Sequence, residues 1–397
     1  MEKKIGNFHS GRAIFSLLVL ICCFLIGAVL KIASSVILPF VLALLLAFVM
    51  FPIVKWLDKY RVPRFASILL IIIIIISGLY LFGMVLLTSG NSILSIFPEY
   101  ESRLMEIYMV IAELFELPSD ESLSLWQNLW GQLGIRTWVG NFAISISGTS
   151  INFASTAVLV ILFIVFILLE AGYFKEKLQT AFGERSAQVI KMGHSLMVQV
   201  TRYLTAKFFI SLATGVVIFI GLSLIKVEFA ILWGIFAFIL NFIPVLGSIA
   251  GGVVTSLFAL VQFWPEPVPV ILVVVLILSV NMIIGNIIDP KIIGDHVGIS
   301  PLMVMVSLGF WGYIWGFAGM VIAVPMTVII KIICENIPLL EPVSVFIGSK
   351  KAVKAQKKYP QYLHLLQGRK KNKNNVEAHQ TPKDSETEDK NEAKNEV

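Results

Sequence analysis

The sequence predicts an all-α, polytopic integral membrane protein of about eight transmembrane helices, with two broken or re-entrant segments in its C-terminal half. Three observations predict it. Of 397 residues, 57% are hydrophobic and 14% charged, whereas soluble domains carry about 25% charged residues. The mean hydropathy is +0.87. The apolar residues also gather into charge-free runs of about 20, the length that crosses about 30 Å of hydrocarbon. Finally, two of the runs are too long for one span and carry glycine and proline near their middles. These features exclude an ordinary soluble enzyme, a disordered chain and a disulfide-rich secreted module.

Five runs have the length of a single span: 13–30, 32–54, 65–87, 151–169 and 208–225, the third with six consecutive isoleucines at 71–76. The first follows Lys3, Lys4 and Arg12. Its 18 uncharged residues exceed a signal-peptide core, and a second run begins at once, so a retained helix is expected. Next comes 229–265, 37 residues without a charge, with Pro244, Gly247 and Gly251 near its middle. A normal span, 267–288, follows. The last run, 297–330, has 34 residues, with Pro301 near its start, Gly309, Gly312, Gly316 and Gly319 in its middle, and Pro325 beyond. A long run interrupted in this way reads as two helical pieces joined by a turn. Such backbone is tolerated at membrane depth only where it is buried in protein or lines a wet cavity.

Charge sets the expected orientation. The N-terminus, the 55–64 connection and residues 175–207 are basic, and residues 350–373 hold nine Lys or Arg and no acid. Residues 90–136 hold seven acids against Arg103 and Arg136. The positive-inside rule puts the basic segments and both termini in the cytoplasm and the acidic segment outside. Counting spans gives the same answer. In the acidic segment, Leu104, Ile107, Ile111 and Leu114 recur at helical spacing, and Trp126, Trp130 and Trp138 point to a return along the membrane interface. The basic stretch 350–373 suits an anionic leaflet, and residues 374–397 read as disordered. No role for nucleic acid is called for.

Candidate chemistry is sparse. Cys22, Cys23 and Cys334 form no metal or disulfide pattern, the five histidines are scattered, and there is no phosphate-binding loop. No cofactor, metal or catalytic set is expected. The charge-free spans leave two helix-end carboxylates, Glu170 at the end of the fourth run and Asp289, in Asn286-Ile-Ile-Asp-Pro290. Asp289 reads either as an interfacial residue where Pro290 ends the helix or as a gate or coupling group. Asn241, Asn281 and Asn286 are amides in lipid and need partners, from other helices or from a polar cavity. Units 208–265 and 267–330 each pair a span with a broken run and begin on opposite sides. That is the arrangement of an inverted repeat, whose site lies between the two breaks.

The chain resembles the autoinducer-2 exporter family of bacterial membrane proteins. The resemblance rests on Leu38-Pro-Phe-Val-Leu-Ala43, Pro52 and Arg61-Val-Pro-Arg64. It continues in Pro244-Val-Leu-Gly247 with Gly251, in Asn286 to Pro290, in Gly298-Ile-Ser-Pro-Leu302, in Gly316-Phe-Ala-Gly319 and in Val324-Pro325. It implies a non-enzymatic, multi-pass transporter of the bacterial inner or plasma membrane, whose partners are the bilayer and a small polar solute or monovalent cation. Export of an autoinducer-2-like signal by alternating access is the leading expectation. Sodium or lithium–proton antiport is one alternative, and a non-transporting scaffold or envelope-assembly protein another. Homo-oligomerisation is left open. The pathway or gate would be built from Asn241, Pro244, Gly247, Gly251, Asn281, Asn286, Asp289, Pro290, Pro301, Gly316, Gly319 and Pro325. The expected organisation is an N-terminal three-helix region (1–88), an extracytoplasmic acidic segment (89–150), a membrane transport core (151–340) including cytoplasmic residues 170–207, and a tail (341–397).

Overall fold

The computed structural model describes residues 17–18, 21–22, 24–114, 155–183, 186–293, 298–337 and 340–349. The expected tryptophan return and the tail from residue 350 onward lie outside them. Among the described residues, five helices are long and apolar enough to cross a membrane, and three shorter apolar helices accompany them. The fold is all-α and polytopic. Many large apolar side chains, such as Phe24, Ile73, Leu224 and Val253, face outward. In water this would be costly, but in a bilayer lipid covers them.

Helix α1 covers 24–32 and α2 covers Ser34–Lys59. The sequence predicts a reversal between them, near Lys31. The structure has none. Ala33 departs from helical values only in part (φ −87°, ψ 18°), and the ladder continues across it through Ala33 N–H to Val29 O and Ile37 N–H to Ala33 O. Rotations of that size bend a helix axis without turning it back. The chain does reverse at Arg61 (φ 60°) and enters α3, Arg64–Leu114. At 51 residues α3 is about 76 Å long, more than twice the hydrocarbon thickness. Its first part is the apolar span, and the expected amphipathic helix is its continuation rather than a separate element. Helix α4, Ser155–Glu170, packs Val160, Ile164 and Leu168 against Ala43, Ala47 and Val54 of α2 and Ile68 and Ile71 of α3.

Helix α5 (Phe174–Phe182) leads to α6, Ser186–Ile225. α6 also outruns its apolar stretch, because the basic segment before residue 208 is part of the same helix. Next come α7 (Ala230–Leu240), α8 (Leu246–Gln262) and α9 (Pro267–Val280). A π-helix, Asn281–Ile288, passes directly into α10, Asp289–Ile293. Pro290 therefore does not end the helix, as it would under one of the two alternatives for this motif. A proline cannot donate to the carbonyl four residues back, and its ring crowds that carbonyl. Widening the preceding turns to π geometry relieves both problems.

Helix α11 is Pro301–Asn336, but Trp315 (φ −125°, ψ 17°) and Gly316 (φ 60°, ψ −140°) leave helical geometry. Its two arms, 301–314 and 317–336, fold back on each other. Ser307 Oγ donates to Ala323 O at 2.9 Å, and a Cβ on Gly319 would fall 1.9 Å from Trp311 O. The first long run folds the same way. α7 and α8 meet at a tip over residues 241–245, where a Cβ on Gly247 would fall 1.8 Å from Leu240 O. Both long runs are thus re-entrant hairpins, each closed by a glycine at a backbone contact. The arms of α7 and of residues 301–314 are about 16 and 21 Å long, too short to cross hydrocarbon. A last short helix, α12 (Glu341–Ile347), bonds back to the base of the second hairpin through Ser300 N–H to Ile347 O at 2.9 Å.

The hairpins enter from opposite ends. α6 and α9 run antiparallel, with Gly221 of α6 against Leu276 of α9. The first hairpin begins where α6 ends, and the second begins where α10 ends. Their tips meet in the core. Ile243 of the first tip is buried in one cluster with Trp311, Trp315 and Ile322 of the second hairpin and with Leu45 of α2 and Tyr203 of α6. The packing of the two units is not equivalent. The first hairpin lies on its own span α6 through the close pair Gly215 and Gly234. The second packs on α2 and α6.

Candidate functional site

A cavity of about 570 Å³ opens between α6, α7, α8 and α9, with Phe82 of α3 and Phe317 of the second hairpin tip also on its wall. Of the residues expected at a pathway, Asn241, Gly247, Gly251 and Asn281 line it. Both hairpin tips therefore contribute to one space. Asn241 lies level with Ser211, since its Nδ2 donates to Ser211 Oγ at 3.0 Å. Along α6 that level is about 6 Å from Lys207 and about 22 Å from Lys226.

The tip is strained. Leu246 N–H donates to Pro244 O at 2.7 Å, which closes a γ-turn on Val245 at φ 62°, ψ −58°. A positive-φ γ-turn is rare and strained, and a β-branched residue makes it costlier. Pro244 thus shapes the tip beside the cavity.

Among the described residues, no charged side chain lines the cavity. Its polar side chains are mostly spent on their own helices. Thr214 Oγ1 donates to Ile210 O at 2.9 Å, Ser248 Oγ to Val245 O at 3.0 Å and Thr255 Oγ1 to Gly251 O at 2.8 Å. Among the described residues, the Asn281 amide finds no hydrogen-bond partner and the Asn241 carbonyl oxygen finds none either, and Trp233 Nε1 is buried without one. The sequence reading did not single out Thr214, Trp233, Ser248 or Thr255. Each sits in an apolar run where a hydroxyl or indole gives no local signal.

The remaining expected residues lie elsewhere. Asn286 is exposed on the π-helix, with its Nδ2 3.5 Å from Met282 Sδ. Gly316 and Gly319 shape the second tip. Pro301 opens the first arm of α11 next to its cap Ser300, and Pro325 is buried in the second arm. Asp289 and Pro290 lie at the start of α10.

Asp289 is not simply an interfacial carboxylate beside Lys291. Its Oδ2 accepts from Lys207 Nζ of α6 at 2.8 Å, with the Lys207 side chain 4% and the Asp289 side chain 23% exposed. The second oxygen, Oδ1, is buried without a partner. The sequence reading placed Lys207 among solvated basic residues and expected no charge well inside a span. Lys207 is instead buried, and so is Lys331 of α11, which pairs with Glu335 at 3.3 Å.

A third polar group closes the opposite end of α6. Tyr100, on the extension of α3, donates its phenol to the Glu228 carboxylate. Gln262 at the end of α8 accepts from Glu228 N–H at 2.9 Å and donates to Lys226 O at 3.1 Å. These bonds hold Lys226 and Phe229 at positive φ. The Tyr100 ring stacks edge-on against Phe258 at 5.5 Å. Burial first, and then the bond to Glu228, push the Tyr100 phenol well above its ordinary range.

Residues 14–339 match the family described as AI-2E family transporter. The chain belongs to the AI-2E transporter family. It is 31% identical over 338 residues to a protein of Borreliella burgdorferi whose name assigns it to transport only provisionally, with no substrate. That match covers 85% of this chain and 91% of the relative. It is 29% identical over 341 residues to the AI-2 transport protein TqsA of Escherichia coli, covering 85% and 95%. It is 23% identical over 302 residues to the sodium-lithium/proton antiporter of Halobacillus andaensis, covering 70% and 85%. The AI-2E chain is accordingly a multi-pass bacterial membrane protein of a transporter family.

Proposed function

We propose that the protein is a carrier that exports a small uncharged solute by alternating access, with the cavity at the two hairpin tips as its site. The single observation that carries this reading is the meeting of two re-entrant hairpins, begun at opposite ends of α6 and α9, at one cavity. Broken segments at membrane depth put unpaired backbone and small polar groups beside a solute. A scaffold needs no such space. The Lys207–Asp289 pair lies at one end of the cavity-bearing stretch and the Tyr100–Glu228–Gln262 group at the other, so each is placed to act as a gate. The connections at 59–64 and 170–183 and the C-terminal end lie in the cytoplasm in this reading, since the two basic connections share one face, whereas the unreversed α1–α2 helix enters from the opposite side. The Arg64 guanidinium lies directly against Gly172, which brings the two connections together.

The first solute to assay is the autoinducer-2 signal, by analogy with the name of the E. coli relative. Proteoliposomes holding only this protein and loaded with the signal should release it faster than protein-free vesicles, without sodium movement. A second reading, sodium or lithium–proton antiport, is favoured by the buried Lys207–Asp289 pair and by the name of the Halobacillus relative. It predicts sodium uptake driven by a pH gradient and abolished in Asp289→Asn. Absence of solute release together with Asp289-dependent sodium exchange would replace the first reading by the second.

A further inference from the structure

We infer that the cavity selects an uncharged solute with a largely apolar body and one group complementary to a primary amide, held by Asn281 with Asn241. The inference rests on the reading of this cavity as the carrier's site, and it narrows the class of solute. Among the described residues the walls carry no charge, so an ion would lose hydration there without a counter-charge. The hydroxyls of Thr214, Ser248 and Thr255 already donate to carbonyls of their own helices. Those hydroxyls can still accept a hydrogen bond but have no further proton to give. Among the described residues, the lining groups without a partner are the Asn281 amide, with two donors and an acceptor, the Asn241 carbonyl oxygen, and the buried Trp233 indole N–H. Around them stand Phe82, Trp233, Phe236, Ile277 and Phe317, a surface for an aromatic or alkyl body. A carboxamide, lactam or lactone on such a body meets both requirements.

The test uses the full chain in proteoliposomes and three photoreactive probes that differ only at one end: benzophenone, 4-benzoylbenzamide and 4-benzoylbenzoate. Peptides covering residues 233–255 and 277–281 are quantified by mass spectrometry after illumination. The amide probe should label them about tenfold more than either control, because one hydrogen-bonded group separates them. Asn281→Leu should remove that excess, Asn281→Gln should retain part of it, and Asn286→Leu, outside the cavity, should change nothing. Equal labelling by the carboxylate or by plain benzophenone would overturn the inference, as would an excess that survives Asn281→Leu. A fold defect in Asn281→Leu would show as loss of labelling by all three probes, and Asn281→Gln then decides: equal labelling of that variant by the three probes overturns the inference. The two readings fail separately. Amide-selective labelling with no solute flux sinks the carrier and leaves the solute class, whereas flux with unselective labelling does the reverse.

Discussion

Single atoms decide whether the hairpins close. A methyl group on Gly247 or Gly319 would sit under 2 Å from a backbone oxygen, and backbone cannot swing aside as a side chain can. Gly247→Ala should therefore cost about 3 kcal/mol, the upper end of overpacking penalties. Gly309→Ala meets nothing within 4 Å and should gain about 0.5–1 kcal/mol from helix propensity. Thermal unfolding midpoints in detergent measure both, and a harmless Gly247→Ala would mean that the tip has room for a methyl group. The buried ion pair is the second residue-scale feature. Lys207→Met strands the Asp289 carboxylate, already short of a partner at Oδ1, and should destabilise by about 3 kcal/mol. The double variant Lys207→Met, Asp289→Leu should recover most of that, since burying neither charge avoids the desolvation. No single-residue signal marked Lys207 in the sequence, because its partner lies 82 residues further along the chain.

Hydropathy and breaker residues made the elements legible where lipid imposes a rule. A charge-free run must be helical in hydrocarbon, and a 37-residue one with Pro244 and Gly247 must break. Outside the bilayer that rule lapses. Nothing in composition required α3 to continue to Leu114, through Gly90 and Pro98, or α6 to begin at Ser186, because most helical stability comes from tertiary packing, which local sequence does not show. The π-helix was equally hidden, although its cause, Pro290, was in view. Its contribution can be isolated. Pro290→Ala restores a donor and removes the ring clash, so the π turns should tighten to α geometry. That shift of one residue turns everything after it by about 100° and carries the Asp289 carboxylate away from Lys207. A double-mutant cycle between Lys207 and Asp289 should show coupling in the native background and little in Pro290→Ala. Coupling that persists would show that the π-helix does not set the pair's geometry.

At the scale of the molecule, the two polar groups on α6 measure the membrane. Lys207 and Lys226 are 19 residues apart, about 28 Å along the helix, close to the hydrocarbon thickness. The group at the Lys226 end should respond to alkali. The Tyr100 phenol is held neutral in the fold by burial and Glu228, while in the unfolded chain it ionises near pH 10. The folded state then keeps a proton that the unfolded state loses, so the contribution is complete below about pH 10 and fades as pH rises beyond it. Tyr100→Phe should flatten this alkaline loss of stability and leave neutral-pH flux direction unchanged. The orientation has its own measurement. In a chain with Cys22, Cys23 and Cys334 replaced, a cysteine at Glu266, on the turn between α8 and α9, should react with an impermeant maleimide on intact cells. A cysteine at Gln179, on α5, should react only after permeabilisation. The opposite pattern would invert the fold in the membrane. The Lys207–Asp289 pair would then be the outer gate and Tyr100–Glu228 the inner one, and export would have to begin at the Tyr100 end.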